Sequence, residues 1–562
     1  MLFLSILLGV ALGIEHFPSK WGFGDEIAPY ELEDLTALEE YVRRPDPHFR
    51  YELWEECSER EATYNIYCFK MWSQQWLNES VWYSPHHENA VWWHWMVVIV
   101  PRKFDEDMKN HVYMQIEAGS NGNNNYPNIH DNEDIDAAKI LAVGGGIVTS
   151  IIFQVPNQRI KFYDDWWYEN GEPHGRKEDE FCGYTWRLFM NDLTGEPMPE
   201  MAKGWGEEII AYFPMTKAAT KGLDLLEEFL KEEKNIDVEG FLVAGGSKRG
   251  WTTWFTGIVE PVRVKAIAPV VLDVLNMHTS LKHSFMMLGN WSFAYEDFYR
   301  ENITQNIDTE EFFELIQHID VFTYRKKLAN MPIVAVTCSG DPFFMIDDSS
   351  FYLEQMKELG EIHRYLMGNC EHSTLGHSLT NGNMFRNIFA WFKNLILGNK
   401  SPGISWEHGF NGDILWATLT IEGDLLPDEV NIKYSETVEE ERTTLWRKDW
   451  RWTIPENEWD LPGYHESDKY PTSKSEERGG QPVLIRPVKV FPRKAIGVDE
   501  KTYYFEMNIP STGWLAFWFD ATFTLPSGDE FTTSSDTFIG PDTYLTSEPV
   551  CFGEGECRGG LV

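Results

Sequence analysis

Two patterns of hydrophobic and polar residues alternate along the chain up to about residue 401. The segments "VWWHWMVVIVP" and "GGIVTSIIFQVP" are largely apolar and β-branched, which is typical of buried strands. The segments "NEDIDAAKILAVGG" and "TKAATKGLDLLEEFLKEEK" repeat apolar residues at helical spacing, and Asn132 or Asp134 supplies a cap for the first. Strands that alternate with helices predict βαβ crossovers and a mostly parallel sheet.

The alternation resumes in the second half of this region. Strands are predicted at "VEGFLVAGG", "VKAIAPVVLDVLN", "MPIVAVTCSG" and "IHRYLMGNC", and helices at "KRGWTTWFTGIVE", "FYLEQMKELG" and "NMFRNIFAWFKNLILG". Between the two halves, residues 157–212 are aromatic and charged and show no clear periodicity. This stretch is too long for a simple loop, so we interpret it as an insertion or lid.

The pattern changes after Pro402. Short alternating segments such as "GDILWATLTIEG", "EVNIKYSETV" and "TGWLAFWFDATFTL" are separated by turn residues, with no helical pattern between them. They predict an immunoglobulin-like β-sandwich over residues 402–562. An α/β unit would then occupy residues 14–401.

The N-terminus predicts a signal peptide. Residues 2–12 are uncharged and largely apolar, and the small residues of Ala11-Leu12-Gly13 end the run where a signal peptidase cleaves. The run is too short to span a bilayer comfortably, and the chain after it is polar. A short membrane anchor and a buried helix are the alternatives to a signal peptide at residues 1–13. We therefore expect a secreted, extracellular protein without a membrane span, whose glycosylation sequons are at Asn78, Asn290, Asn302 and Asn399.

Charge narrows the choice of partners. The chain has 89 acidic and 48 basic residues, which gives a formal net charge of −41. Such a surface repels phosphate backbones and anionic lipids, so we do not expect the protein to bind nucleic acid.

The chain has seven cysteines, and in a secreted protein we expect most of them to form disulfides. The candidate pairs are Cys57 with Cys68, Cys338 with Cys370, and Cys551 with Cys557, which leaves Cys182 as the odd thiol. For Cys338 and Cys370, two small buried residues are the alternative reading. The sequence contains no CxxC or HExxH motif, so it predicts neither a metal site nor a cofactor.

The segment "FLVAGGSKRGWTTW", residues 241–254, holds the candidate nucleophile. Ser247 follows a predicted strand and precedes a predicted helix, as in the strained elbow of a G-x-S-x-G hydrolase. Gly245 fits that motif, whereas Arg249 stands at the second glycine position and Gly250 comes one residue later. Taken alone, the segment also fits a serine that only begins a helix.

Two more residues complete a candidate triad in the order serine, acid, histidine. Asp341 follows the strand "IVAVTCSG", and His372 follows the strand "HRYLMGNC". The carboxyl ends of neighbouring parallel strands lie side by side, so both side chains can reach Ser247. His372 would be the general base, and Asp341 would orient it. The alternative acids are Asp273, Asp347 and Asp348, and the alternative base is His377.

The oxyanion hole is predicted from two backbone N–H groups. One belongs to Lys248, and the other comes from the loop "EAGSNGNNN", where Gly119 or Ser120 is the donor. An ordinary Gly/Asn turn is the alternative reading of this loop. The cations of Lys248 and Arg249 either attract an anionic substrate or pair with the abundant carboxylates.

These segments together resemble one family. "EAGSNGNNN", "AGGSKRGWTTW", "APVVLDVLN", "SGDPFFMIDDS" and "NCEHSTLGH" occur in this order and are similar to segments of the PhoPQ-activated pathogenicity-related family. The resemblance runs from about Glu52 to the β-rich C-terminus and is most specific at "GGSKRGWTTW". It implies an α/β-hydrolase domain with a triad of Ser247, Asp341 and His372. It also implies secretion, and in the autocrine proliferation repressor branch a role in restraining proliferation.

Two functions follow as hypotheses. The first is a secreted serine hydrolase that cleaves a small-molecule ester or a peptide through an acyl-enzyme on Ser247. The second is a secreted autocrine protein that acts through a cell-surface receptor, with its hydrolase activity absent or dispensable.

Overall fold

The structure is a computed structural model that describes residues 35–83, 90–122, 124–163, 165–169, 172–372, 374, 378–437, 439–440, 445–446, 448–455, 475–478 and 481–552. The predicted signal peptide at residues 1–13, the alternative base His377 and Cys557 lie outside the described residues.

Every helix within the described residues ends at or before Ile396. The helices are α1 (Ala37–Arg43), α2 (Glu133–Gly145), α3 (Glu178–Thr194), α4 (Tyr212–Lys234), α5 (Lys248–Val259), α6 (Met277–Leu288), α7 (Glu296–Arg300), α8 (Glu310–Ile319), α9 (Leu353–Lys357) and α10 (Ser378–Ile396).

Strands occur throughout. Before α10 they are β1 (Arg50–Leu53), β2 (Glu59–Arg60), β3 (Tyr64–Gln75), β4 (Val91–Pro101), β5 (His111–Ile116), β6 (Val148–Ile152), β7 (Tyr168–Glu169), β8 (Glu172–Pro173), β9 (Gly240–Gly246), β10 (Val264–Val270), β11 (Ile333–Cys338) and β12 (Ile362–Met367). After α10 they are β13 (Gly403–Asn411), β14 (Ile414–Glu422), β15 (Glu429–Glu436), β16 (Glu439–Glu440), β17 (Leu445–Trp446), β18 (Arg451–Pro455), β19 (Ser475–Arg478), β20 (Gln481–Pro487), β21 (Phe491–Lys494), β22 (Ile496–Gly497), β23 (Thr502–Asn508), β24 (Leu515–Thr524), β25 (Glu530–Ser534) and β26 (Phe538–Gly540).

The central sheet is mostly parallel, as the sequence predicts. Its order is β1-β3-β4-β6-β5-β9-β10-β11-β12, and the pairs from β6 to β12 are parallel. Helices α4 and α5 pack together, and α5 lies on β9 and β10, while α2 contacts α10. The order and the crossovers make this an α/β-hydrolase fold.

The strands are buried on both faces, which explains their continuous apolar runs. In β9, Phe241 and Val243 belong to the core that contains α4 and α5. Their neighbours Leu242 and Ala244 belong to the opposite core, which contains α10. Successive side chains of a strand point to opposite faces, so both faces of β9 require apolar residues.

The C-terminal region is antiparallel and forms two layers. One layer has the order β13-β14-β23-β22, and the other contains β15, β24 and β25. Both layers contribute to one core, which includes Leu415 and Leu419 of β14 and Phe517 and Phe519 of β24. The two layers therefore pack face to face, as in a sandwich.

This region also extends the central sheet, which the sequence does not indicate. β25 pairs antiparallel with β12 at Arg364 and Ser534. The buried guanidinium of Arg364 donates to the carbonyl oxygens of Ser535 and Ile346. One C-terminal layer is thus joined edge to edge with the α/β unit.

Some element predictions need correction. Residues 157–212, where the sequence shows no clear periodicity, contain the seventeen-residue α3, whose apolar residues pack into the core. Instead of one full helix, "FYLEQMKELG" holds the five-residue α9, which follows a 3₁₀ turn that ends at Phe351. Helices α6, α7 and α8 lie between residues 277 and 319, where no element was predicted. Within the described residues, no helix has the length and apolarity to cross a membrane.

Candidate active site

Ser247 lies in a strained turn between β9 and α5. Its φ of 56° and ψ of −124° fall in a region that few non-glycine residues adopt. Its backbone N–H donates to the carbonyl oxygen of Val270 in β10 at 2.9 Å. The turn therefore fixes the serine at the carboxyl edge of the parallel sheet, at the start of α5.

Two glycines make this turn possible. A Cβ on Gly245 would lie 2.7 Å from the carbonyl oxygen of Arg249. A Cβ on Gly250 would lie 3.0 Å from the carbonyl oxygen of Val270. The close approach of α5 to β10 thus falls at Gly250 rather than at Arg249, which accounts for the G-x-S-x-x-G spacing.

Asp341 and His372 meet Ser247 at this edge. Nε2 of His372 lies 2.7 Å from Oγ of Ser247, and Nδ1 lies 2.7 Å from Oδ2 of Asp341. A carboxylate oxygen only accepts, so Nδ1 donates to Asp341 and Nε2 accepts from the serine hydroxyl. The other carboxylate oxygen of Asp341 accepts from the backbone N–H groups of Phe343 and Phe344 at 2.8 and 3.3 Å.

A disulfide links the strand ends that carry the acid and the histidine. Cys338 ends β11 and is bonded to Cys370, just after β12. The backbone N–H of Gly340 donates to the carbonyl oxygen of Cys370 at 3.0 Å. The Asp341 and His372 loops are therefore tied together both covalently and by their backbones.

The alternative acids have other partners. Asp347 accepts from Nε2 of His283 at 2.9 Å, and Asp273 accepts from the hydroxyl of Tyr352 at 2.6 Å. Asp348 accepts from the backbone N–H of Met345 at 2.7 Å. Asp341 is the one described acid of the four that is hydrogen-bonded to His372.

The cations next to Ser247 are paired with carboxylates from the start of α3. Nζ of Lys248 lies 2.9 Å from Asp179, and a guanidinium nitrogen of Arg249 lies 2.6 Å from Glu178. Burial disfavours the charge on Lys248, but Asp179 and Glu178 outweigh it and raise its pKa. Burial likewise opposes the charge on Glu178, yet Arg249 and Lys248 lower its pKa. The cations thus stabilise the turn, and the sequence alone could not select their partners among 89 acids.

Of the candidate oxyanion donors, Lys248 lies directly after Ser247, whereas Gly119 and Ser120 lie in the loop beyond β5. Lys248 is the first residue of α5, and the first N–H groups of a helix have no partner within the helix. The carbonyl oxygens of Gly119 and Ser120 accept from the side chains of Gln158 and Gln154, which fix this loop beyond β5. Lys248 lines a cavity at Ser247, whereas Gly119 and Ser120 line neither of the two described below.

Two cavities open at Ser247. We call the first the apolar cavity; it has a volume of about 580 Å³ and includes Ser247, Lys248 and Asp179 at one end. Most of its other walls are apolar or aromatic, among them Trp251, Leu272, Leu281, Phe298, Ile307 and Phe344. We call the second the polar cavity; it has a volume of about 720 Å³ and includes Ser247, Glu117, Arg249 and His372.

Sequence reasoning missed most of the apolar cavity. Several of its walls come from residues 277–307, and Phe343 and Phe344 also lie against the ring of His372, with centroids 4.6 and 5.9 Å away. Apolar residues that line a cavity have the same sequence pattern as those that fill a core, so no signal separates them.

Two predicted disulfides are present, Cys57–Cys68 and Cys338–Cys370. Cys551 is also disulfide-bonded. Cys182 is a free, buried thiol, as expected for the odd cysteine. Within the described residues, no group of acidic, histidine and cysteine side chains is arranged to hold a metal ion.

Comparison with known proteins identifies a family and a relative that each match most of the chain. A family model described as "PhoPQ-activated pathogenicity-related protein" matches residues 38–443. Autocrine proliferation repressor protein A of Dictyostelium discoideum is 30% identical over 517 residues, which cover 90% of this chain and 91% of the relative.

Similar solved structures include an acetyl xylan esterase from Paenibacillus sp. R4. It is 13% identical, with a TM-score of 0.37, and the match covers 66% of this chain and 97% of the esterase. A glucuronoyl esterase from Solibacter usitatus is 12% identical, with a TM-score of 0.38 and coverage of 62% and 87%.

Proposed function

The chain belongs to the PhoPQ-activated pathogenicity-related protein family, and on that premise we propose that it is a secreted serine hydrolase acting on an ester or a peptide. The observation that carries the proposal is the position of His372, 2.7 Å from both Ser247 and Asp341. The strained turn at Ser247 supports it, because backbone strain in a folded protein concentrates at functional sites.

The reaction has two halves. Nε2 of His372 takes the hydroxyl proton while Oγ of Ser247 forms a bond to the carbonyl carbon of the substrate. His372 then gives this proton to the leaving oxygen or nitrogen as its bond to the carbonyl carbon breaks, which leaves an acyl ester on Ser247. A water molecule activated by His372 attacks that ester, and the proton returns to Ser247 as the acid is released.

Asp341 and the backbone support this sequence. Asp341 keeps the second ring proton on Nδ1 and stabilises the imidazolium that forms. The N–H of Lys248 donates to the oxyanion of the tetrahedral intermediate, whereas Gly119 and Ser120, the candidates for the second donor, line neither cavity at Ser247.

Secretion is part of the proposal. It is supported by the apolar N-terminal run and by the two disulfides, since disulfides persist mainly in oxidising compartments.

A fluorophosphonate probe tests the chemistry, because it phosphonylates activated serines. The wild-type protein should be labelled and Ser247→Ala should not. Ser280→Ala, which removes another buried hydroxyl, is the matched control and should label like the wild type. Absence of label on a folded wild-type protein would count against a hydrolase.

A second function is favoured by the relative that is 30% identical over 90% of this chain. In this version the protein restrains proliferation as an autocrine signal through a cell-surface receptor. Purified wild type and Ser247→Ala would be added to growing cells. Equal slowing of growth supports signalling that does not need the serine, and slowing by the wild type alone makes the chemistry essential.

A further inference from the structure

The two cavities at Ser247 differ in which triad residue they contain. Ser247 lines both, whereas His372 lines only the polar cavity. In acyl transfer the histidine must give its proton to the leaving group, so the leaving group lies on the side of His372. The acyl group, which stays bonded to Oγ of Ser247, is then directed into the apolar cavity.

The walls of the apolar cavity do not suit a polar acyl group. The ammonium of Lys248 is bonded to Asp179, the hydroxyl of Tyr295 donates to the carbonyl oxygen of Phe343, and the hydroxyl of Thr304 donates to Gln305. The indole nitrogen of Trp186 has no hydrogen-bond partner among the described residues, but neither this atom nor the hydroxyl of Tyr212 is exposed at the cavity surface. A polar substituent would therefore lose its water and meet few accessible partners, which costs free energy.

The extent of the apolar wall also favours a large acyl group over a small one. The wall includes Trp186 of α3, Leu281 of α6, Phe298 of α7 and Ile307, so several separate elements contribute apolar surface. An acetyl group would leave most of the apolar wall uncovered. A larger apolar chain would remove that wall from water and gain roughly 0.8 kcal/mol, or about fourfold in kcat/KM, for each methylene buried.

We infer that the substrate is an ester or amide of a bulky apolar carboxylic acid, whose acyl chain occupies the apolar cavity. This inference rests on the proposed hydrolase function. The leaving group lies in the polar cavity beside Glu117 and Arg249. The acyl chain passes Phe343 and Phe344 and ends among residues of α6 and α7.

An ester series with one leaving group tests the inference. 4-Nitrophenyl acetate, butyrate and octanoate are compared on the full chain by kcat/KM. We expect the value to rise along the series, and burial of only two of the six additional methylenes of octanoate would already make it exceed acetate by about tenfold or more. A series in which acetate is the best substrate would overturn the inference.

Two cavity variants should shift the preference in opposite directions. Leu281→Trp fills the cavity and should lower the ratio of octanoate to acetate. Phe298→Ala enlarges it and should raise the ratio for acids bulkier than octanoate. Ile140→Trp, on the exposed face of α2, is the matched control and should keep the wild-type ratios. Wild-type ratios in both cavity variants would contradict the assignment.

Fluorophosphonate labelling separates the two proposals. If the protein is labelled but shows no preference for long acyl chains, the placement of the acyl chain in the apolar cavity is wrong and the hydrolase proposal stands. Unlabelled, folded wild-type protein sinks the hydrolase proposal. A separate readout needs no turnover: octanoate should raise the Tm of Ser247→Ala more than acetate does, and equal shifts would contradict an apolar acyl site.

Discussion

Cys338 and Cys370 form a disulfide that joins the end of β11 to the end of β12, with their Cα atoms 5.4 Å apart. Asp341 follows the first cysteine by three residues, and His372 follows the second by two. The bond therefore limits how far the acid and the base can separate.

Replacing both of these cysteines by alanine should impair activity as well as stability. Loss of a disulfide of this span costs about 2–4 kcal/mol of the free energy of unfolding. Because the Asp341 and His372 loops also lose their covalent link, the rate of fluorophosphonate labelling should fall. Loss of Cys57–Cys68, which lies in another part of the sheet, is the matched control. It should lower Tm without slowing labelling, and equal slowing in both variants would contradict a role at the site.

Asp341→Asn should lower kcat by about four orders of magnitude, because an asparagine favours the wrong imidazole tautomer. Ester hydrolysis and Tm would be measured together. Asp347→Asn offers a matched control, since Asp347 makes a similar contact with His283 away from Ser247. The control should retain the wild-type kcat. An active Asp341→Asn enzyme would remove Asp341 from the triad.

Gly245→Ala should destabilise the protein and slow labelling. The new methyl group would lie 2.7 Å from the backbone oxygen of Arg249, so the turn must shift. Overpacking of this kind costs about 1–3 kcal/mol. Gly246→Ala is the matched control, because a Cβ at Gly246 has no neighbouring atom within 4 Å. Thermal unfolding of the two variants gives the comparison, and an equal Tm for both would show that the turn does not require Gly245.

Asp297→Asn should change how stability depends on pH. Burial raises the pKa of Asp297 to about 7, and the neighbouring Asp179 and Glu180 act in the same direction. Between pH about 4 and 7 the native state holds a proton that the unfolded state has released. This group therefore makes the wild type less stable as pH rises through that window.

Asparagine removes this contribution. The Tm of Asp297→Asn relative to the wild type should thus rise from pH 4 to pH 7 and then level off. Glu106→Gln, an exposed side chain, should show no such trend. A constant difference between Asp297→Asn and wild type would contradict the raised pKa.

The sequence was informative where local pattern and chemistry agree. The buried strands and α2, which Asn132 caps through the backbone N–H of Ile135, follow directly from periodicity. The meeting of Ser247, Asp341 and His372 was predicted from strand order, because parallel strands place their carboxyl ends at one edge. Their catalytic roles remain predictions.

Helix α3 shows why the rest could not be predicted. Phe181, Tyr184, Trp186, Leu188 and Phe189 are all buried, so apolar residues surround this helix rather than forming one stripe. A helix that is apolar on most sides has no amphipathic signal. The carboxylates that pair with Lys248 and Arg249 lie at the start of α3, so they could not be predicted without predicting that helix.

The pairing of β12 with β25 has a consequence for any attempt to divide the chain. A fragment that ends at Ser401 would leave β12 with a free edge of N–H and C=O groups, and such edges recruit other chains. The same truncation would also remove the carbonyl oxygen of Ser535, which accepts a hydrogen bond from the guanidinium of Arg364. The layer that contains β25 therefore covers this edge of the sheet as well as extending it. The shortened chain should self-associate more than the full chain does, and size-exclusion chromatography would show the difference.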